Sequence, residues 1–72
     1  SVFRFSEYPS DVFAKLERAD VRFQKKETSA GWSMRLVEKR EIYKLDRVLK
    51  DLHYRLVSDR NNEYKKYDPN AR

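Results

Sequence analysis

The chain has 72 residues, room for one domain, and at this size folding buries only about 60% of the surface that the unfolded chain exposes. It contains no Cys and one His, His53, which excludes disulfide staples and zinc-ligand spacings; its apolar runs stop at two or three residues, too short for a membrane-spanning helix or a secretory signal core. The formal net charge of +5 is uneven: residues 21 to 40 hold six Lys or Arg against Glu27 and Glu38, whereas residues 1 to 20 hold three against four acids.

Charged residues make up 40% of the chain, but both signs are interleaved and aromatics reach 14%, so the composition points to a folded module rather than a disordered one. The lack of Cys fits a reducing, cytoplasmic setting. The start at Ser1-Val2-Phe3 enters a strand pattern directly, as in a gene product without its initiator Met or a trimmed fragment.

Val2 to Ser6 alternates, with Phe3 and Phe5 on one side and Val2, Arg4 and Ser6 on the other, which predicts a half-buried strand. Pro9-Ser10-Asp11 then supplies a break, an N-cap hydroxyl and a first-turn acid suited to the helix dipole. Val12, Phe13, Leu16 and Ala19 follow at helical spacing.

Val21 and Phe23, then Met34 and Leu36, alternate with polar residues on either side of Glu27-Thr28-Ser29-Ala30-Gly31, a β-hairpin in which the single glycine provides a positive φ. From Glu41 the period changes: Ile42, Leu45, Leu49, Leu52 and Leu56 predict one helix, supported by the i,i+4 pairs Asp46 with Lys50 and Asp51 with Arg55. Ser58 to Asn62 ends the pattern, Glu63 to Tyr67 could prolong the helix, and Asp68-Pro69-Asn70 is a stop. The expectation is an α+β fold of order βαββα: a three-stranded antiparallel sheet with two helices on one face. Residues 1–62 form its single domain and residues 63–72 a polar, partly disordered tail.

That fold leaves one sheet face open, displaying Arg4, Arg22, Gln24, Lys26 and Arg35 as a basic surface. Such a surface recruits anionic partners and speeds encounter; its bland counterpart is a merely solvated face. Trp32 beside the turn reads as an exposed anchor or stacking platform, or else as a packed core residue. Tyr64-Lys65-Lys66-Tyr67 interleaves aromatic and cationic groups that could contact a partner, against the alternative of a frayed terminus. The leucine stripe covers about two heptads, too few for a coiled coil, so a monomer is favoured over a homodimer.

The acids lie on helix surfaces beside cations, and no Gly-rich loop, metal pattern or cofactor motif is present. The one enzymatic alternative is a small ribonuclease toxin using Arg22, Arg35 and Tyr54 to stabilise phosphate charge. The main expectation is therefore a basic, non-enzymatic binding protein without cofactor, metal or membrane association. It would dock on an acidic surface of a larger assembly, or alternatively bind DNA or RNA through the same cations.

The start Ser1-Val2-Phe3-Arg4-Phe5, the strand-helix-hairpin-helix order and the tail Tyr64-Lys65-Lys66-Tyr67 resemble small bacteriophage-encoded regulators that bind host RNA polymerase. The resemblance implies docking on polymerase subunits in the host cytoplasm, with transcription initiation blocked or termination altered.

Overall fold

A computed structural model describes residues 1–71. Its elements are β1 (Val2–Phe5), α1 (Ser10–Arg18), β2 (Phe23–Thr28), β3 (Gly31–Leu36), a 3-10 turn (Lys39–Glu41), α2 (Ile42–Asp51), β4 (Tyr54–Ser58) and β5 (Glu63–Lys66). The five strands form one mixed sheet in the order β2-β3-β1-β5-β4. This corrects the expected fold: the sheet has five strands, not three, it is not purely antiparallel, and the order is βαββαββ rather than βαββα. The stretch from residue 63, expected as a partly disordered tail, begins with a strand inside the sheet.

β3 runs antiparallel to both β2 and β1, β5 runs parallel to β1, and β4 closes antiparallel onto β5. β1 and β2 therefore point the same way with β3 between them, and α1 is their crossover. α2 likewise carries the chain from β3 to β4 across β1 and β5. Both crossovers lie on one face, where Phe3, Phe5, Val21, Met34 and Leu36 meet Val12, Phe13 and Leu16 of α1 and Leu45 and Leu49 of α2. Each large apolar side chain buried in this way stabilises the fold by about 1.5–3 kcal/mol.

Local chemistry explains the helix limits. Pro9 occupies the N-cap position of α1, where its missing N–H costs nothing, and Ser10, expected as the cap, is the first helical residue. The Asp11 carboxylate accepts a hydrogen bond from the Val12 amide at 2.9 Å, beside the positive end of the helix. α1 ends as Asp20 turns into the left-handed region at φ 59°, with the Val21 amide donating back to the Leu16 carbonyl at 2.9 Å. α2 stops the same way: His53 adopts φ 65° and its amide donates to the Lys50 carbonyl at 3.1 Å. The long helix expected to run past Leu52 to Leu56 is thus cut at Asp51, and Arg55 pairs in a strand instead of with Asp51.

The β4–β5 connection turns at Asn62, φ 52°, and is fastened to the centre of the sheet. The Arg4 amide donates to the Asn62 carbonyl and the Asn62 side-chain amide donates to the Val2 carbonyl, both at 3.0 Å. The first and last strands are thereby neighbours.

Candidate functional site

Strand alternation fixes what the helix-free face presents. With Phe3, Phe5, Met34 and Leu36 turned to the core, β1 shows Val2 and Arg4 on the other side and β3 shows Ser33 and Arg35. Register with β3 places Gln24 opposite Arg35 and Lys26 opposite Ser33, so β2 adds Gln24 and Lys26 to this face. Across the parallel pair, Arg4 is level with Glu63 and Phe5 with Tyr64, which brings Glu63 and Lys65 of β5 to the same side. Arg55 of β4 stands opposite Lys65.

Every strand of the sheet therefore contributes one cation: Lys26, Arg35, Arg4, Lys65 and Arg55 in spatial order, against Glu63 as the one acid among them. Strands lie about 4.8 Å apart and alternate residues along a strand about 7 Å apart, so the cations form a staggered track about 19 Å across. Among the described residues no carboxylate lies within ion-pair distance of these five. Arg4 donates from its guanidinium to the Asn61 carbonyl at 2.9 Å, which fixes its stem while leaving other N–H groups free. A shallow depression of about 230 Å³ lies among Val2, Gln24, Lys26, Ser33 and Arg35. At the other end the Arg55 guanidinium sits 5.5 Å from the centre of the half-exposed Tyr67 ring, and the Tyr67 amide donates to the His53 carbonyl at 2.9 Å.

The residues singled out from the sequence divide. Arg4, Gln24, Lys26 and Arg35 share the open face. Arg22 precedes β2 and reaches Glu38 at 3.5 Å, a carboxylate that also holds Arg40 at 3.3 Å; such exposed pairs contribute little to stability. Trp32 points to the helix side, its ring 4.7 Å from Tyr8 in an edge-to-face contact. Lys25 completes that aromatic cluster, donating to the Tyr8 hydroxyl at 2.6 Å and lying 5.2 Å from the Phe13 ring centre.

The four expected tail contacts also separate. Lys65 joins the open face and Tyr67 its rim, whereas Tyr64 packs towards Phe3 and Phe5 at ring distances of 6.2 and 6.3 Å, and Lys66 bonds Asp11. The leucine spacing puts Arg55 with Arg47 and Tyr54 on an edge of the expected last helix that could extend the basic surface, whereas it stands on the open sheet face in β4 and Tyr54 is on the helix side. The signal available was the alternation of Tyr54 and Leu56 with Arg55 just ahead of the turn-forming Ser58-Asp59-Arg60-Asn61-Asn62.

A second polar cluster lies where α1 meets β4 and β5, beside a cavity of about 340 Å³ lined by Phe5, Asp11, Tyr54, Tyr64 and Lys66 among others. The Asp11 carboxylate accepts from the Tyr54 hydroxyl at 2.8 Å and from the Lys66 ammonium. Burial alone would raise the Asp11 pKa, but hydrogen bonds from Lys66, Tyr54 and the Val12 amide outweigh it and hold the carboxyl below its ordinary value. Burial first, then the bond to the Asp11 carboxylate, pushes the Tyr54 phenol well above its usual range. This cluster clamps a helix to the sheet edge. The trio Arg22, Arg35 and Tyr54 is not assembled: Arg22 pairs with Glu38, Arg35 is on the open face and Tyr54 is on the helix side.

No family model, curated protein or solved structure matches the chain. No helix among the described residues is long and apolar enough to cross a membrane.

Proposed function

We propose that the open sheet face binds single-stranded nucleic acid through its phosphates. The observation that carries this reading is the cation on each of the five strands, all free of carboxylate partners among the described residues. Neighbouring cations about 5–8 Å apart, directly opposite for Lys65 and Arg55 and diagonal for the others, suit a flexible phosphodiester, which can bend to follow the track. Tyr67, beside Arg55, offers a ring at the rim on which a base can stack. A flat face also disfavours the duplex grooves, which are read by protruding helices or ribbons.

Docking of these cations on an acidic protein surface, as in regulation of a host RNA polymerase, ranks second. Tight protein interfaces centre on a desolvated aromatic or aliphatic anchor, and Trp32, the expected anchor, is packed against Tyr8 on the opposite side of the sheet.

Fluorescence anisotropy with a single-stranded oligonucleotide of about 12 residues at about 50 mM salt tests the proposal. Binding in the micromolar range is expected, and Arg4→Glu with Lys65→Glu should weaken it about tenfold or more while leaving thermal unfolding nearly unchanged, since exposed substitutions cost within about 0.5 kcal/mol. Equal binding by the double variant would reject the face. Capture from a bacterial lysate of one large protein that survives nuclease treatment would favour the second reading.

A further inference from the structure

The two helices pack side by side on the sheet, and their outer surfaces leave a groove of about 490 Å³ lined by Lys15, Arg18 and Ala19 of the first helix and its end and by Tyr43, Lys44, Arg47, Val48 and Asp51 of the second. Its apolar lining is the half-buried Val48 with the exposed Ala19 and the ring of Tyr43, which is 66% exposed, beside it. Its rim is cationic. Among the described residues Lys15, Arg18 and Arg47 have no ion-pair partner, Lys44 meets Glu41 at 3.4 Å, and Asp51 is the one acid in the lining. This surface lies on the helix layer, away from the sheet track.

We propose that this groove docks a short amphipathic helix with acidic flanks, presented by a partner protein. A helix is narrow enough to lie in the trough between two others, its apolar stripe recurring at i, i+3, i+4 and i+7 to meet Tyr43, Val48 and Ala19. Acidic residues on both flanks of that helix would face Lys15 and Arg18 on one side and Lys44 and Arg47 on the other, the complementarity that sets register and encounter rate. A second copy of this chain would set cations against cations in the same trough. A bilayer is planar and cannot follow the concavity, and an oligonucleotide would leave the apolar lining unmatched. The protein would then join a nucleic acid on one face to a protein segment on the other, although the groove stands independently of the sheet-face reading.

The probe is a synthetic peptide of about 14 residues with Leu at helical spacing and Glu on both flanks, titrated into the 72-residue chain and followed by anisotropy and by amide chemical shifts. Saturable binding is expected, with shifts concentrated at Lys15, Ala19, Tyr43, Arg47 and Val48. Arg18→Glu with Arg47→Glu should weaken it about tenfold or more, as like charges are brought together across the contact. The variant's melting curve and amide spectrum report whether it remains folded, and Tyr43→Ala, at a largely exposed position, gives an independent loss of affinity. Absence of binding, equal binding of a peptide with the same composition in scrambled order, or shifts confined to the sheet face would overturn the proposal. So would sedimentation showing a dimer that buries these residues, or anionic vesicles shifting the same amides in place of the peptide.

Discussion

Gly31 begins β3 at φ 137°, in a region that L side chains rarely adopt. The two-residue loop before it, Ser29 and Ala30, has no positive φ and is tied by the Ala30 amide donating to the Thr28 hydroxyl at 3.2 Å. A Cβ at position 31 would stand 2.3 Å from the Phe5 carbonyl oxygen and 2.7 Å from that of Ser6, so the end of β1 would have to move. Gly31→Ala is expected to cost at least about 2 kcal/mol, combining a disfavoured φ with overpacking against backbone, and a thermal melt should record a drop of about 10 °C or more. An unchanged melting temperature would mean that β1 and β3 do not approach in this way.

Asp11 and Tyr54 give the residue-scale pH dependence. The Asp11 carboxyl titrates lower in the folded protein than the value of about 3.9 in an unfolded chain, so its contribution is complete above about pH 4 and is lost as pH falls through the folded value. Tyr54 has the opposite sign: its raised pKa stabilises below the unfolded value of about 10 and that contribution is lost as pH rises beyond it. Denaturant melts at several pH values should be flat between these limits. Asp11→Asn should lower stability at pH 7 by up to about 1 kcal/mol, since the Lys66 pair is partly exposed, and should flatten the acid limb. An unaltered acid limb in that variant would show that the clamp does not form.

At the scale of elements, the first half of the chain was readable and the last third was not. β1, α1 and the β2–β3 hairpin each announce themselves by an uninterrupted period: Phe3 and Phe5, then Val12, Phe13 and Leu16, then Met34 and Leu36. α2 ends without glycine, because His53 takes the left-handed position, and Leu52 and Leu56 continue the leucine spacing beyond the stop. β5 is four residues long, so its alternation of Tyr64 with Lys65 could not be told from a polar tail. The open face was legible where the period held, at Arg4, Gln24, Lys26 and Arg35. Trp32, expected as an anchor beside the basic face, shares parity with Met34 and Leu36, a signal in the alternation that points instead to the helix side where it lies.

β5 lies between β1 and β4, which makes it an interior strand whose backbone groups are paired on both sides. Truncation after Asn62 should leave β1 without one neighbour and β4 without any, and the product is expected to lose its cooperative unfolding transition by circular dichroism. A stable, cooperatively melting 1–62 fragment would contradict the five-stranded sheet. Leu49→Ala, which empties a site 3% exposed in the contact between helix and sheet, should cost roughly 2–5 kcal/mol in a denaturant titration. A variant as stable as the parent would remove Leu49 from the core.

Across the whole molecule, the fold sorts charge by layer. On the helix side Lys66 is engaged by Asp11 and Lys25 by the Tyr8 and Phe13 rings, whereas the sheet side collects one cation per strand and the single acid Glu63. Neutralising that acid is the corollary: Glu63→Gln should tighten oligonucleotide binding by a few fold, and a loss of affinity would place the ligand elsewhere. If the sheet face holds its partner by phosphates, as proposed, affinity must fall with counterion concentration, with a log–log slope of about −0.7 per phosphate engaged on a single strand. The most direct measurement is therefore the salt dependence of binding to one single-stranded oligonucleotide. A slope of about −3, as for four or five phosphates, that falls by about 1.4 in Arg4→Glu with Lys65→Glu is the expected result. Affinity that does not change with salt, or no binding at about 50 mM, would contradict a phosphate-binding sheet face.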